Sequence, residues 1–203
     1  MNRKQKTERR LFSIGHSNHP LEAFLKLLKM HSVEVLIDAR SHPQSRHAPH
    51  FSAQTLDAAV TKIGAKYLFL GKELGGRPEG REFYDDEGHV LYSRLAKSPS
   101  FLEGIRRLEE EIKNRRAAIL CSEEDPTCCH RRLLVGRVLV TRGIALDHIR
   151  GDGLIQKEEE LSLKETRRSN QSQQTLFEEP KDSEWKSIQS VSQKRQRQSS
   201  LKH

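Results

Sequence analysis

The stretch AAILCSEEDPTCCHRRLLVGRVLVTRGIALDHI, residues 117 to 149, sets the architecture of this chain. It opens on a short apolar run, AAIL (117–120), and crosses a polar segment. It continues as RRLLVGRVLVTRG (131–143), a helix-like run that Gly143 ends, and closes on a second short apolar run, IALDHI (144–149). Strand, helix, strand in this order predicts a parallel βαβ unit.

The same alternation extends outward. LFSI (11–14) predicts a strand, and PLEAFLKLLKMH (20–31) predicts a helix with Leu21, Phe24, Leu25 and Leu28 as its buried stripe and Ser17 or Asn18 as cap. VEVLID (33–38) and KYLFL (66–70) read as strands around a helix over SAQTLDAAVTKIG (52–64), capped by Ser52. VLYSRLAKS (90–98) and PSFLEGIRRLEEEIKNR (99–115) read as helices. The strands are continuous apolar runs rather than alternating ones, so both of their faces should be covered. The expected fold is α/β: a three-layer sandwich with a mostly parallel sheet of about five strands.

Only 34% of the 203 residues are hydrophobic, and the deficit is concentrated beyond Gln156. That composition divides the chain into a basic extension (1–10), an α/β domain (11–153) and a polar C-terminal tail (154–203) expected to be disordered. No apolar run is long enough to span a bilayer, and MNRKQKTERR (1–10) has no apolar segment behind it. A cytoplasmic protein whose three cysteines are thiols is therefore expected. The formal net charge of +8 suits a phosphate-bearing partner, although runs such as QKRQRQ (193–198) place much of it in the tail.

In parallel sheets, ligands gather beyond the carboxyl ends of the strands. The segments at those five exits are GHSNH (15–19), ARSHPQSR (39–46), GKELGGRP (71–78), CSEEDPTCCHR (121–131) and RGDG (150–153), and they hold nearly every unusual polar residue of the chain. His16 and Ser17 lie at the first exit. Asp38, Arg40 and Arg46 lie at the second, where Asp38 could orient an arginine or act as a base. Gly75, Gly76 and Arg77 form the third, with glycines that admit close backbone approach. Neither a GxxxxGK[ST] loop nor a GxGxxG after a strand is present, which excludes those nucleotide-binding designs.

At the fourth exit, Cys129 begins a helix whose dipole favours a thiolate, next to His130 and Arg131. Adjacent cysteines without a second CxxC pair fit tetrahedral metal ligation poorly, so no metal is expected. A phosphatase-type loop needs an arginine six residues after its cysteine, and position 127 is Thr. Cys121, Glu123, Cys129, His130, His16 and Asp38 are the candidates for chemistry. Ser17, Arg40, Arg46, Gly75, Gly76, Arg77 and Arg131 are the candidates for holding an anion.

IGHSN (14–18), DARSHPQSR (38–46), LGGRP (74–78) and CSEEDPTCCHRR (121–132) resemble the bacterial and archaeal domain-of-unknown-function 488 family over most of residues 11 to 150. The family's Cys-x-Glu-x-x-Pro-x-x-Cys-His-Arg pattern falls on Cys121, Glu123, Pro126, Cys129, His130 and Arg131, leaving Cys128 outside it. The resemblance marks a site and leaves its reaction and cofactor open. The expected function is an enzyme-like site for a phosphate, nucleotide or nucleic acid; the alternatives are a non-catalytic nucleic-acid-associated module and a thiol redox or metal-binding protein. In the tail, QQTLF (173–177) is similar to the short motif by which bacterial polymerases and repair proteins dock on the DNA sliding clamp, with Gln173, Leu176 and Phe177 as contacts.

Overall fold

A computed structural model describes residues 9–44, 48–172 and 185–191. Five parallel strands, β1 (Arg10–Gly15), β2 (Val35–Asp38), β3 (Lys66–Phe69), β4 (Ala117–Cys121) and β5 (Ala145–Ile149), are joined by a short antiparallel β6 (Ile155–Lys157). The spatial order is β3-β2-β4-β1-β5-β6. The chain winds one way from β1 to β3, then returns to insert β4 between β2 and β1. That insertion brings the exits of β1, β2 and β4 side by side.

Successive residues of the central strands feed different cores. Leu11, Val35, Ile37, Ala117 and Ile119 face one layer, built on α5 (Pro99–Ile112) through Phe101, Ile105, Leu108 and Ile112. Phe12, Ile14, Leu36, Ala118 and Leu120 face the other, built on α1 (Leu21–Met30) through Phe24, Leu27 and Leu28 and on α2 (Ala53–Lys62) through Leu56 and Val60. Two apolar faces explain why the strands read as unbroken hydrophobic runs. The α/β sandwich is as expected, with β6 as an added edge strand.

Local details differ from the sequence reading. Pro20, not Ser17 or Asn18, occupies the N-cap of α1, and Ser17 instead has a left-handed backbone (φ 43°). Ser52 does hold the N-cap position of α2, but its side chain makes no capping bond. VLYSRLAKS contributes only the short α4 (Tyr92–Leu95), after the equally short α3 (Gly71–Leu74). The helix after Cys129 starts as a π-helical turn, Arg131–Gly136, before α6 (Arg137–Thr141). Arg131 and Arg132, at the start of this turn, are both buried.

Ordered structure continues into the stretch that composition assigns to a disordered tail. After β6 comes α7 (Glu158–Ser172), held mainly by charge. Arg132 donates to Glu158 at 2.8 Å and to Glu165 at 2.7 Å, while Leu161 is buried. Residues 185–191 dock separately: Trp185 Nε1 donates to the Leu133 carbonyl at 2.8 Å, and Lys186 bridges to Leu91. Hydrophobic content misses such anchors because they are ionic and aromatic rather than periodic. Gln173, Leu176 and Phe177 lie outside the described residues, as does Arg46.

Candidate functional site: a cysteine–histidine centre in a cleft

The β4 exit lies at the middle of the site. Gly15 pairs with Cys121 in register, and beyond them His16 N–H donates to the Cys121 carbonyl at 3.1 Å and Ser17 N–H to the Ser122 carbonyl at 2.9 Å. A Cβ on Gly15 would stand 1.8 Å from the Glu123 carbonyl oxygen, so only glycine permits this approach. The backbone of Ser17 is thereby engaged by the protein itself.

Arg131 braces the loop from inside. It is 1% exposed, and its guanidinium donates to the Glu123 carbonyl, to the Glu124 carbonyl at 2.6 Å and to Ser13 Oγ at 3.2 Å. The expected anion ligand is therefore committed to shaping the loop, because a buried guanidinium needs its donors satisfied. The chain of bonds continues from the Ser13 hydroxyl to His148 Nδ1 at 2.7 Å and from His148 Nε2 to Glu158 at 2.9 Å, which ties the loop to α7.

Asp38 is also committed inward. Its carboxylate accepts from Arg40 Nε at 2.9 Å, Arg40 Nη2 at 2.6 Å and the Tyr67 hydroxyl at 2.6 Å. Of the two roles read from the sequence, this geometry matches that of an arginine orienter. The remaining Arg40 nitrogen, Nη1, lies 3.2 Å from His16 Nε2. His16 Nδ1 is 2.9 Å from the Ser17 carbonyl, which assigns the proton to Nδ1 and leaves Nε2 to accept from Arg40. Burial, reinforced by the Arg40 charge, outweighs the Ser17 bond and the Asp38 and Glu123 charges and pulls the His16 pKa down to about 4, so the ring is neutral.

Four side chains converge on the cleft floor. Cys121 Sγ donates to Glu123 Oε2 at 2.8 Å and lies 3.6 Å from His130 Nδ1; Cys129 Sγ lies 3.5 Å from the same Glu123 oxygen and 3.9 Å from His130 Nδ1. His130 Nε2 donates to the Ala39 carbonyl at 3.0 Å, which fixes the ring and turns Nδ1 toward the sulfurs. The bond between Cys121 and Cys129, reinforced by burial, holds the Cys121 thiol well above the ordinary thiol range. Burial also opposes ionisation of Cys129, but bonds from Cys121 and His130 and the charges of His130 and Arg131 outweigh it and hold this thiol well below that range. Burial likewise opposes charge on His130, yet the Cys129 partner raises its pKa. The two sulfurs are thus shifted in opposite directions, Cys121 toward the thiol and Cys129 toward the thiolate.

The cleft above this floor encloses about 260 Å³. Arg40, Gly76 and the exposed Arg77 form one side, with Ser41 Oγ accepting from the Arg77 N–H at 2.9 Å. A Cβ on Gly76 would come within 2.8 Å of the His130 ring, and one on Gly75 within 2.3 Å of Ser41 Oγ. These two glycines let the third exit pack against the centre. Tyr92 and the docked segment, through Ser187, Ile188, Gln189 and Val191, form another part of its wall. Sequence reasoning missed that wall; the lone tryptophan of the chain, Trp185, was the available signal. His16 and Asp38 sit behind Arg40 rather than in the lining, and Arg150 of the fifth exit is turned away onto Glu124 at 2.8 Å.

An open α/β sheet with its polar residues at the carboxyl ends, centred on a cysteine–histidine cluster, defines the class of protein. The family model of the domain of unknown function DUF488 matches residues 20–138, more than half of the chain, and the chain belongs to that family. Neither the curated proteins nor the solved structures include a match to it.

Proposed function

We propose that this protein is an enzyme-like ligand-binding protein, which takes a small anionic group into the cleft and acts on it at the Cys121–Cys129–His130 centre. The observation that carries this reading is that Arg77 and Arg40 line the same cleft as the buried Cys121 and Cys129 and the His130 ring. Arg77, solvent-facing beside two glycines, is the donor available to a phosphate or carboxylate. Arg40, fixed by Asp38 and 4% exposed, adds a preoriented positive field. Glu123, held ionised below its usual range by the Cys121 thiol in spite of burial, is the base nearest the sulfurs.

Titration calorimetry with inorganic pyrophosphate and a nucleoside monophosphate tests the reading. Saturable, salt-sensitive binding that weakens about tenfold in Arg77→Ala is expected, the loss of roughly one charge-assisted hydrogen bond. Absence of saturable binding, or equal affinity in Arg77→Ala, would overturn it. Binding of DNA alone, unaffected by Cys129→Ser, would point instead to the nucleic-acid-associated module.

A further inference from the structure

We infer that Cys121, Cys129 and His130 form a mononuclear site for a thiophilic divalent metal ion, zinc by the chemistry of its donors, with one coordination position open to the cleft. This rests on the reading of that cluster as the chemical centre and names its cofactor. The ligand atoms are already spaced for one ion. All three lie within 4.8 Å of one another, with Sγ···Nδ1 separations of 3.6 Å for Cys121 and 3.9 Å for Cys129. Tetrahedral zinc, with bonds of about 2.3 Å to sulfur and about 2.0 Å to nitrogen, sets S···N edges of about 3.6 Å and S···S edges of about 3.8 Å. Two sulfurs and an imidazole select zinc over magnesium or calcium.

The surroundings match a metal site as well. His130 donates its far N–H to the Ala39 carbonyl, the outer bond that commonly fixes the ring of a metal-bound histidine and presents its other nitrogen. Cys121 is 3% and Cys129 2% exposed, yet both line the cleft, so an ion would be shielded on the protein side and reachable on the other. Glu123 Oε2, 3.5 Å from Cys129 Sγ, stands beside the fourth position, where a water or a ligand oxygen would bind. Three protein ligands plus an open position is the arrangement of catalytic rather than structural zinc. Both cysteines would bind as thiolates and His130 through its Nδ1 lone pair, so binding would release whatever protons these atoms carry, and the ion would supply Lewis acidity next to Arg77. The site would use only Cys129 of the adjacent pair, since Cys128 is exposed, with Sγ toward the Asp125 carbonyl at 3.7 Å.

The test uses the full chain, stripped with chelator under reductant and titrated with cobalt(II) as a spectroscopic probe for zinc. One equivalent should produce thiolate-to-cobalt charge transfer and tetrahedral ligand-field bands, which zinc then removes. Cys129→Ser and His130→Ala should each weaken binding more than about tenfold, while Cys128→Ser leaves it unchanged. X-ray absorption on the zinc-loaded natural protein, which needs no variant, should fit two sulfurs with nitrogen or oxygen completing the shell. No saturable cobalt signal, a signal that survives Cys129→Ser, or a zinc shell without sulfur would overturn the inference. Pyrophosphate binding to the metal-free protein, and its dependence on Arg77, is read separately, so either proposal can fail alone.

Discussion

The Arg40 guanidinium lies across the Asp38 carboxylate in a two-point bond, Nε to Oδ1 at 2.9 Å and Nη2 to Oδ2 at 2.6 Å, with both side chains buried. A buried pair of this kind is unforgiving of losing one member, because the other is left charged and away from water. Asp38→Asn is expected to destabilise the fold by about 3–5 kcal/mol in urea denaturation. Tyr67→Phe, which removes only one of the four bonds to the carboxylate, should cost about 1 kcal/mol. Equal losses in the two variants would contradict the assignment of Asp38 as the element that holds Arg40.

Arg131 should behave as a brace. Arg131→Met leaves the Glu123 and Glu124 carbonyls without their buried donor, and a loss of about 3 kcal/mol is expected. Arg131→Lys should recover only part of it, since one ammonium cannot span three acceptors. If Arg131→Met instead kept full stability and lost only anion affinity, the residue would be a ligand-binding group after all.

Acid sensitivity should run through Glu158. Burial disfavours its charge, but bonds from His148 and Arg132 outweigh that and pull its pKa down from 4.5 to about 2. A carboxylate depressed in the folded state contributes stability that is complete above its unfolded value and is lost as pH falls toward its folded value. Thermal melts should therefore show stability declining between about pH 4.5 and about pH 2. Glu158→Gln should be less stable at neutral pH and flatter across that window. An unchanged acid limb in that variant would remove Glu158 from this role.

Docking of residues 185–191 can be followed through Trp185, the chain's single tryptophan. Its indole donates to Leu133, packs edge-on to Tyr92 with ring centroids 6.1 Å apart, and lies under the Arg137 guanidinium at 4.6 Å. Emission should be blue-shifted and shielded from acrylamide in the folded protein. Arg137→Ala should increase quenching by removing a contact of about 0.5–1 kcal/mol or more. Quenching equal to that of unfolded protein from the outset would show that this cleft wall is not in place in solution.

The amino-acid sequence by itself determined the layered architecture of this protein. Helical and strand periods are local properties, so β1 to β5, α1, α2 and α5 could be read from nearest-neighbour spacing, and the unbroken apolar runs implied a sheet covered on both sides. The exit rule then gathered most of the cleft residues, because in a parallel sheet every strand delivers its following loop to the same edge.

Tertiary structure alone decided what those residues do. Arg131 and Arg77 are the same residue type at the exits of β4 and β3, yet one is buried under a loop and the other is exposed at the cleft. The two cysteines of the centre come from opposite ends of the β4 exit loop, so their spacing in the chain said nothing of the few ångströms between them and His130. The wall built by residues 185–191 comes from far along the chain, held by an aromatic anchor, the Lys186–Asp85 ion pair and single hydrogen bonds that leave no period to read. Local chemistry sets the elements; side-chain direction and long-range pairing, fixed only when the chain closes on itself, assign their roles.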